Sequence, residues 1–181
     1  MTNFIQLSKP VNDGAAEHLT KSKVPSITLL GTNNELINIA ELKGYVVLYC
    51  YPLTANPKTA LPENWDDIAG ARGCTPQNCS YRDSFKEIVE LGAQVYGFST
   101  QTTDYQKEMA VRLHLPQTVL SDNELKFVNA LKLPTFYVDS MTLVKRITLI
   151  IKDGVIEQVF YPIFPSNADV DLVINYLKKL N

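Results

Sequence analysis

The amino-acid sequence predicts an α/β fold, in which helices pack on both faces of a central mixed β-sheet. Residues 45–50 form a continuous apolar run rich in Val and Tyr, which is typical of a strand buried on both faces. Strand and helix patterns then alternate up to residue 131. Beyond them, Asp153 and Gly154 join two strand patterns as a two-residue type I′ hairpin, and a helical pattern closes the chain.

The individual elements have recognisable boundaries. Clusters of β-branched and aromatic residues between turn residues predict the strands, and apolar residues at helical spacing predict the helices. Asp122 and Asn167 occupy the N-cap positions of the last two helices. The strands cover residues 26–30, 37–39, 45–50, 94–99, 118–120, 146–152 and 155–161. The helices cover residues 77–91, 103–112, 123–131 and 168–180.

The length of 181 residues predicts one domain, residues 1–181. Residues 1–24 are polar and weakly patterned, so we expect them to form an N-terminal arm. Residues 53–72 contain several Pro and Ala residues and the tryptophan Trp65, which predicts a long loop.

Composition excludes several classes of protein. The 17 basic and 19 acidic residues give a net charge of -2, which offers no attraction to nucleic acid. No apolar run is long enough to cross a membrane, and the N-terminus lacks the basic flank and apolar run of a signal peptide. We therefore expect a cytoplasmic protein. Three cysteines are too few for a secreted disulfide framework.

Cys74 and Cys79 lie five residues apart, where a loop enters the predicted helix. In an intact helix, residues at this spacing point about 140° apart and their Cα atoms are roughly 8.7 Å apart. A disulfide needs Cα atoms within about 7 Å of each other. If the two thiols pair, the first helical turns must therefore unwind, which would couple the chemistry to local unfolding.

Cys74 would lie near the N-terminus of that helix, where unpaired N–H groups and the helix dipole favour a thiolate nucleophile. A thiolate that attacks a peroxide becomes a sulfenic acid, which a second thiol can condense with. The spacing alone also fits two inert, small apolar residues. A zinc site is a poor fit, because His18 and His114 lack ligand spacing near the pair, and Cys-x-x-Cys is absent. Cys50, inside a buried strand, is predicted to be a core residue.

Several short segments together carry a family resemblance that runs from about residue 24 to residue 181. These segments are residues 46–52, 73–75, 79–83, 91–93, 98–100, 120–122 and 145–148. With them the sequence resembles a peroxiredoxin of the alkyl hydroperoxide reductase C and thiol-specific antioxidant superfamily. Within that superfamily it is most similar to the bacterioferritin comigratory protein (peroxiredoxin Q) branch.

The resemblance implies a thioredoxin-like fold and a site without metal, haem or flavin. It makes Cys74 the peroxidatic cysteine and Cys79 the resolving cysteine of an intramolecular disulfide. Arg146 matches the active-site arginine, whose planar fork would hold the thiolate and polarise the peroxide. Pro52 matches the proline that opens the catalytic loop. The implied partners are a peroxide substrate and a thioredoxin-like or glutaredoxin-like reductant, and the implied assembly is a monomer or a homodimer.

The sequence departs from the family pattern before Cys74. The family places Pro seven residues and Thr three residues ahead of the peroxidatic cysteine. Here Pro52 stands 22 residues ahead and Ala71 occupies the Thr position, so residues 53–72 resemble an insertion. The missing hydroxyl could come from one of three residues, Thr54, Thr59 or Thr75.

The departure leaves other functions open. Arg72 could add positive charge beside the pair, and the insertion could cover the site, bind a partner or pack as a loop anchored by Trp65. Without the family Thr, the protein could be a redox sensor or an interaction protein with weak or no peroxidase activity. A general disulfide oxidoreductase is the third alternative, although the five-residue spacing disfavours it.

Overall fold

The computed structural model describes residues 9–180. The strands are β1 (Thr28–Gly31), β2 (Leu36–Asn38), β3 (Tyr45–Cys50), β4 (Ala93–Ser99), β5 (Thr118–Ser121), β6 (Thr135–Val138), β7 (Met141–Val144), β8 (Ile147–Lys152) and β9 (Val155–Phe160). The helices are α1 (Cys74–Asp83), α2 (Phe85–Glu90), α3 (Thr103–Arg112), α4 (Lys126–Leu131) and α5 (Asp169–Lys178).

The main sheet has seven strands in the order β2-β1-β5-β4-β3-β8-β9. Strand β4 runs parallel to both β3 and β5, whereas β8 runs antiparallel to β3 and β9. The predicted mixed sheet is thus confirmed. Asp153 and Gly154 connect β8 and β9 with φ values of 47° and 78°, as the predicted type I′ turn requires.

Strand β3 is buried on both faces, as its apolar run predicts. Val46 and Leu48 belong to one core cluster together with residues of α4, whereas Val47 and Tyr49 belong to a second cluster with residues of α1, α3 and α5. Cys50 lies in the first cluster and is fully buried, so its prediction as a core residue is confirmed. Helices therefore cover both faces of the sheet.

Two helix predictions were wrong in their bounds. The single helix predicted over 77–91 is two helices that meet at Ser84, whose ψ of 3° leaves the helical region. Apolar spacing continues through this break, so periodicity alone does not reveal it. The helix predicted from residue 123 begins at Lys126, because Leu125 before it has a φ of 59°. Leu125, not the predicted Asp122, occupies the N-cap position, although Oδ2 of Asp122 accepts a hydrogen bond from the Val128 amide of the first turn at 2.8 Å.

The predicted N-cap Asn167 was also wrong. Ala168 occupies the cap position of α5 and makes no side-chain cap hydrogen bond. Residue 167 instead lies in a turn, in which the Ala168 amide donates a hydrogen bond to the Pro165 carbonyl. The hairpin of β6 and β7 was not predicted, although Asp139 and Ser140 connect it with positive φ values.

The proposed N-terminal arm, residues 1–24, lies partly outside the described residues. In the described part, Leu19 is fully buried and Lys23 forms a bridge with Val155, so this segment packs against the core. The chain's division into one domain and its assembly as a monomer or homodimer stay predictions.

The long loop of residues 53–72 also packs against the fold. Trp65 is buried, and its ring lies 6.1 Å from that of Phe136 on the hairpin of β6 and β7, measured between centroids. Trp65 is therefore a packed anchor of this loop.

Candidate active site

Cys74 is the first residue of α1 and is only 3% exposed. Gly73 precedes it with a φ of 103°, a conformation that L-residues rarely adopt, and a Cβ there would collide with the side chain of Ser166. Glycine is therefore required at the turn that delivers the sulfur to the helix N-terminus. Cys74 thus lies at the end of α1 where the backbone N–H groups have no partner within the helix.

Arg146 reaches this sulfur from the residue before strand β8, and it is 4% exposed. Its Nη2 lies 3.4 Å from Sγ of Cys74. The same nitrogen donates to the carbonyls of Gly70, Ala71 and Arg72 at 3.2, 3.4 and 3.1 Å. The sulfur of Cys74 also lies 3.5 Å from the carbonyl of Ala71, so it contacts both the positively charged guanidinium and a backbone oxygen.

A buried network lies behind Arg146. Its Nη1 donates to Oε1 of Gln77, whose Nε2 donates to Oδ2 of Asp169 at 2.7 Å. Oδ2 also accepts hydrogen bonds from Thr148 at 2.9 Å and from Tyr81 at 3.1 Å. Burial raises the pKa of Asp169, and these three hydrogen bonds and the charge of Arg146 oppose that rise.

Sequence reasoning missed Gln77 and Asp169. Gln77 lies one helical turn after Cys74, which was the available signal for a side chain near the sulfur. Asp169 carries no such signal, because only the packing of α5 against α1 brings it to the site.

A second set of polar side chains fixes the start of α1. Asn78 Nδ2 donates to the Cys74 carbonyl at 2.9 Å, and Asn78 Oδ1 accepts from the Tyr49 hydroxyl at 2.8 Å. The ring of Tyr49 stacks on that of Tyr81, with centroids 3.9 Å apart. Strand β3 thereby holds two successive turns of the helix.

Cys79 lies in the middle of α1 and is half-buried. Both it and Cys74 are free thiols, and the helix is intact between them. A bond between the two sulfurs therefore requires α1 to open. Burial raises the pKa of the third thiol, Cys50, well above its usual value, which makes that thiol unreactive.

Pro52 follows strand β3 and is buried, and its carbonyl accepts a hydrogen bond from the Ser99 hydroxyl at 3.1 Å. Two of the three candidate residues, Thr54 and Thr59, are not among the residues that line the cavity beside Cys74. Thr54 is fully buried and donates to Gln101, and Thr59 is exposed. Thr75 lines the same cavity as Cys74.

The cavity beside Cys74 has a volume of about 310 Å³. Most of its walls are apolar. Residues 53–65, the first part of the long loop, contribute four of its lining residues. It is lined by Leu53, Ala55, Leu61, Trp65, Ala71, Arg72, Gly73, Cys74, Thr75 and Pro76. Arg72 forms an ion pair with Asp66, so its charge is largely offset.

Among residues 9–180, no three His, Cys, Asp or Glu side chains are grouped to hold a metal ion. In the same part of the chain, no helix is long and apolar enough to cross a membrane.

A comparison with known protein families identifies the family of this chain as Redoxin. The model of that family matches residues 19–174, and the chain belongs to it. Chloroplastic peroxiredoxin Q of Sedum lineare is 29% identical over 161 residues, which cover 88% of this chain and 77% of that protein. Peroxiredoxin Bcp of Bacillus subtilis is 30% identical over 109 residues, 60% of each chain.

This chain covers about two thirds of the length of most of these relatives, for example 66% of peroxiredoxin Q from Populus jackii. Among solved structures, peroxidoxin BcpB of Mycobacterium tuberculosis superimposes with a TM-score of 0.73 at 23% identity, over 90% of this chain and 97% of that one. The bacterioferritin comigratory protein of Xanthomonas campestris superimposes with a TM-score of 0.69 at 16% identity, over 97% of this chain and 98% of that one. The peroxiredoxin resemblance and the thioredoxin-like fold predicted from the sequence are thus confirmed.

Proposed function

We propose that this protein is a thiol-dependent peroxidase in which Cys74 attacks the peroxide. The observation that carries the proposal is the 3.4 Å distance between Nη2 of Arg146 and Sγ of Cys74, at the N-terminus of α1. The guanidinium and the helix terminus both favour a thiolate there, and the guanidinium can also hold a peroxide oxygen.

In the first step, the thiolate of Cys74 attacks one oxygen of the peroxide and breaks the O–O bond. The sulfur is oxidised to a sulfenic acid, and the other oxygen leaves as water or an alcohol after it gains a proton. Arg146 would stabilise the charge that develops on the leaving oxygen.

In the second step, the thiol of Cys79 attacks the sulfenic sulfur, forms the S–S bond and releases water. The intact helix between the two residues must first unwind, as its geometry requires. A thioredoxin-like or glutaredoxin-like dithiol then reduces the disulfide by thiol exchange and is itself oxidised.

The cavity supports organic hydroperoxides as substrates besides hydrogen peroxide. Its apolar walls, among them Leu61 and Trp65, can accept an alkyl or aryl group whose peroxide end faces Cys74. Hydrogen peroxide has no such group to bury, so this wall would contribute only to the organic substrates.

Stopped-flow oxidation by hydrogen peroxide, followed by mass mapping of disulfides, tests the proposal. We expect one equivalent of peroxide to give a Cys74–Cys79 disulfide in the wild type. Cys79→Ser should stop at the sulfenic acid and Cys74→Ser should be inactive, whereas the matched control Cys50→Ser should still form the disulfide. Full peroxidase activity in Cys74→Ser would overturn the proposal.

A redox sensor with little peroxidase activity is the second candidate, because Ala71 replaces the family Thr. The rate of oxidation separates the two functions. A sensor of this kind would react with peroxide no faster than a peptide of residues 70–79, whereas a peroxidase would react at least about a hundredfold faster.

A further inference from the structure

Asp169 is a fully buried carboxylate at the first residue of α5. Its Oδ2 accepts hydrogen bonds from two residues of α1, Gln77 and Tyr81, and from Thr148 of β8. Its other oxygen, Oδ1, has no hydrogen-bond partner among the residues that the structure describes. The carboxylate thus concentrates its hydrogen bonds on the one oxygen that faces the reactive helix.

Gln77 lies between opposite charges. Its carbonyl oxygen faces the guanidinium of Arg146 and its amide nitrogen faces the carboxylate of Asp169. The reverse orientation would place N–H groups against the guanidinium and an oxygen against the carboxylate. Asp169 therefore fixes the orientation of Gln77, and Gln77 fixes one arm of Arg146.

The burial of this carboxylate is costly on its own. Desolvation disfavours its charged form, and a buried charge persists where it has a charged partner and hydrogen bonds. Arg146 is the buried cation of the same network, joined to Asp169 by a single amide. Such an arrangement of buried charges beside a nucleophile points to the site rather than to the stability of the fold alone.

The same carboxylate holds α1 closed. Gln77 and Tyr81 lie one and two turns after Cys74, on either side of Cys79 in the sequence. Opening α1 for disulfide formation breaks their hydrogen bonds to Asp169. The two links thus resist the unwinding that the second step requires.

We propose that Asp169 is a positioning residue of the reaction: it orients Arg146 through Gln77 and holds the first two turns of α1 closed. This role rests on the proposed peroxidase function. It predicts that loss of the carboxylate has opposite effects on the two steps. Oxidation of Cys74 slows because Arg146 is less well held, and closure of the disulfide speeds up because α1 opens more easily.

The test is stopped-flow measurement of both steps in Asp169→Asn, with Asp171→Asn as a matched control. Asp171 lies in the same first turn of α5 and is exposed. The loss of one hydrogen bond to a charged acceptor changes an equilibrium constant by roughly ten- to a hundredfold. In Asp169→Asn we expect oxidation to slow about tenfold and closure to accelerate about tenfold, while Asp171→Asn matches the wild type in both steps.

Tyr81→Phe keeps the test decisive if Asp169→Asn does not fold, which thermal unfolding will reveal. This change removes one hydrogen bond to Asp169 and retains the ring that stacks on Tyr49. We expect it to accelerate disulfide closure about fivefold.

Four other outcomes would contradict either the positioning role of Asp169 or the proposed function. Unchanged rates in Asp169→Asn, or a loss of rate in both steps, would overturn the positioning role, and so would unchanged closure in Tyr81→Phe. A wild-type protein that peroxide does not oxidise would instead overturn the proposed function itself.

Discussion

Nη2 of Arg146 contacts both the sulfur of Cys74 and the carbonyl of Gly70, at 3.4 and 3.2 Å. One nitrogen therefore fixes the nucleophile and the turn that leads into its helix. The geometry depends on a planar donor fork that reaches several acceptors at once, which the ammonium group of lysine does not provide.

Arg146→Lys is therefore expected to lower the rate constant for oxidation of Cys74 by about a hundredfold, a typical loss when a preorganised donor is removed. Stopped-flow oxidation by hydrogen peroxide measures it. Lys145→Arg is the matched control. Lys145 is the neighbour of Arg146 in the sequence, but its side chain pairs with Asp13 at the surface. A rate for Arg146→Lys within threefold of the wild type would contradict the role of Arg146.

Leu61→Trp should change the preference among peroxides. The larger side chain fills part of the cavity beside Cys74, so the kcat/KM for cumene hydroperoxide should fall about tenfold while that for hydrogen peroxide is retained. Val111→Trp adds the same group to an exposed position on α3 and should alter neither value. Equal losses for both peroxides would show that the cavity does not select the substrate.

Thr75→Val tests the hydroxyl that lines the cavity. With Ala71 at the family Thr position, the Thr75 hydroxyl is the candidate that shares the cavity with Cys74. We expect its removal to slow oxidation by hydrogen peroxide about tenfold, since one hydrogen bond to the reacting peroxide is lost. Thr59→Val, at an exposed position, serves as the control. If both variants oxidise at the wild-type rate, Thr75 does not replace the family Thr.

Asp13 should contribute a pH-dependent part of stability. Its hydrogen bonds from Lys145 and Tyr161 lower its pKa to about 2. A carboxylate with a lowered folded-state pKa stabilises the fold above its unfolded pKa of about 4, and this contribution is lost as pH falls through the folded value. The stability difference between wild type and Asp13→Asn should therefore be constant near neutral pH and shrink from about pH 4 to pH 2.

Urea unfolding over that pH range measures the difference. Because Asp13 is partly exposed, we expect the free energy of unfolding of the two proteins to differ by no more than about 1 kcal/mol at neutral pH. A difference that grows on acidification would contradict the pairing.

Much of the fold could be predicted because its signals are local. The buried run of β3 and the Asp153-Gly154 turn are read from a few adjacent residues. The break at Ser84 could not be predicted, since apolar side chains keep their helical spacing across it. The hairpin of β6 and β7 owes its place to packing against Trp65 and its neighbours, which are distant in sequence.

The candidate site divides in the same way. The spacing of Cys74 and Cys79 and the family segments around Arg146 identify three of its residues. Asp169 could not be found from the sequence, because it is one of 19 acidic residues and comes close to Cys74 only when α5 packs on α1. The distance between Pro52 and Cys74 predicts an insertion, but the apolar wall that this insertion forms is a property of its folding.

Trp65, which anchors that insertion, is the chain's single tryptophan and lines the cavity at Cys74. The protein therefore carries its own fluorescent reporter at the site. Indole emission can be excited apart from that of the nine tyrosines, so we expect any change in emission on peroxide binding or helix opening to come from Trp65 alone. We therefore expect the fluorescence of Trp65 to report on the proposed reaction without an added label and without alteration of a cysteine.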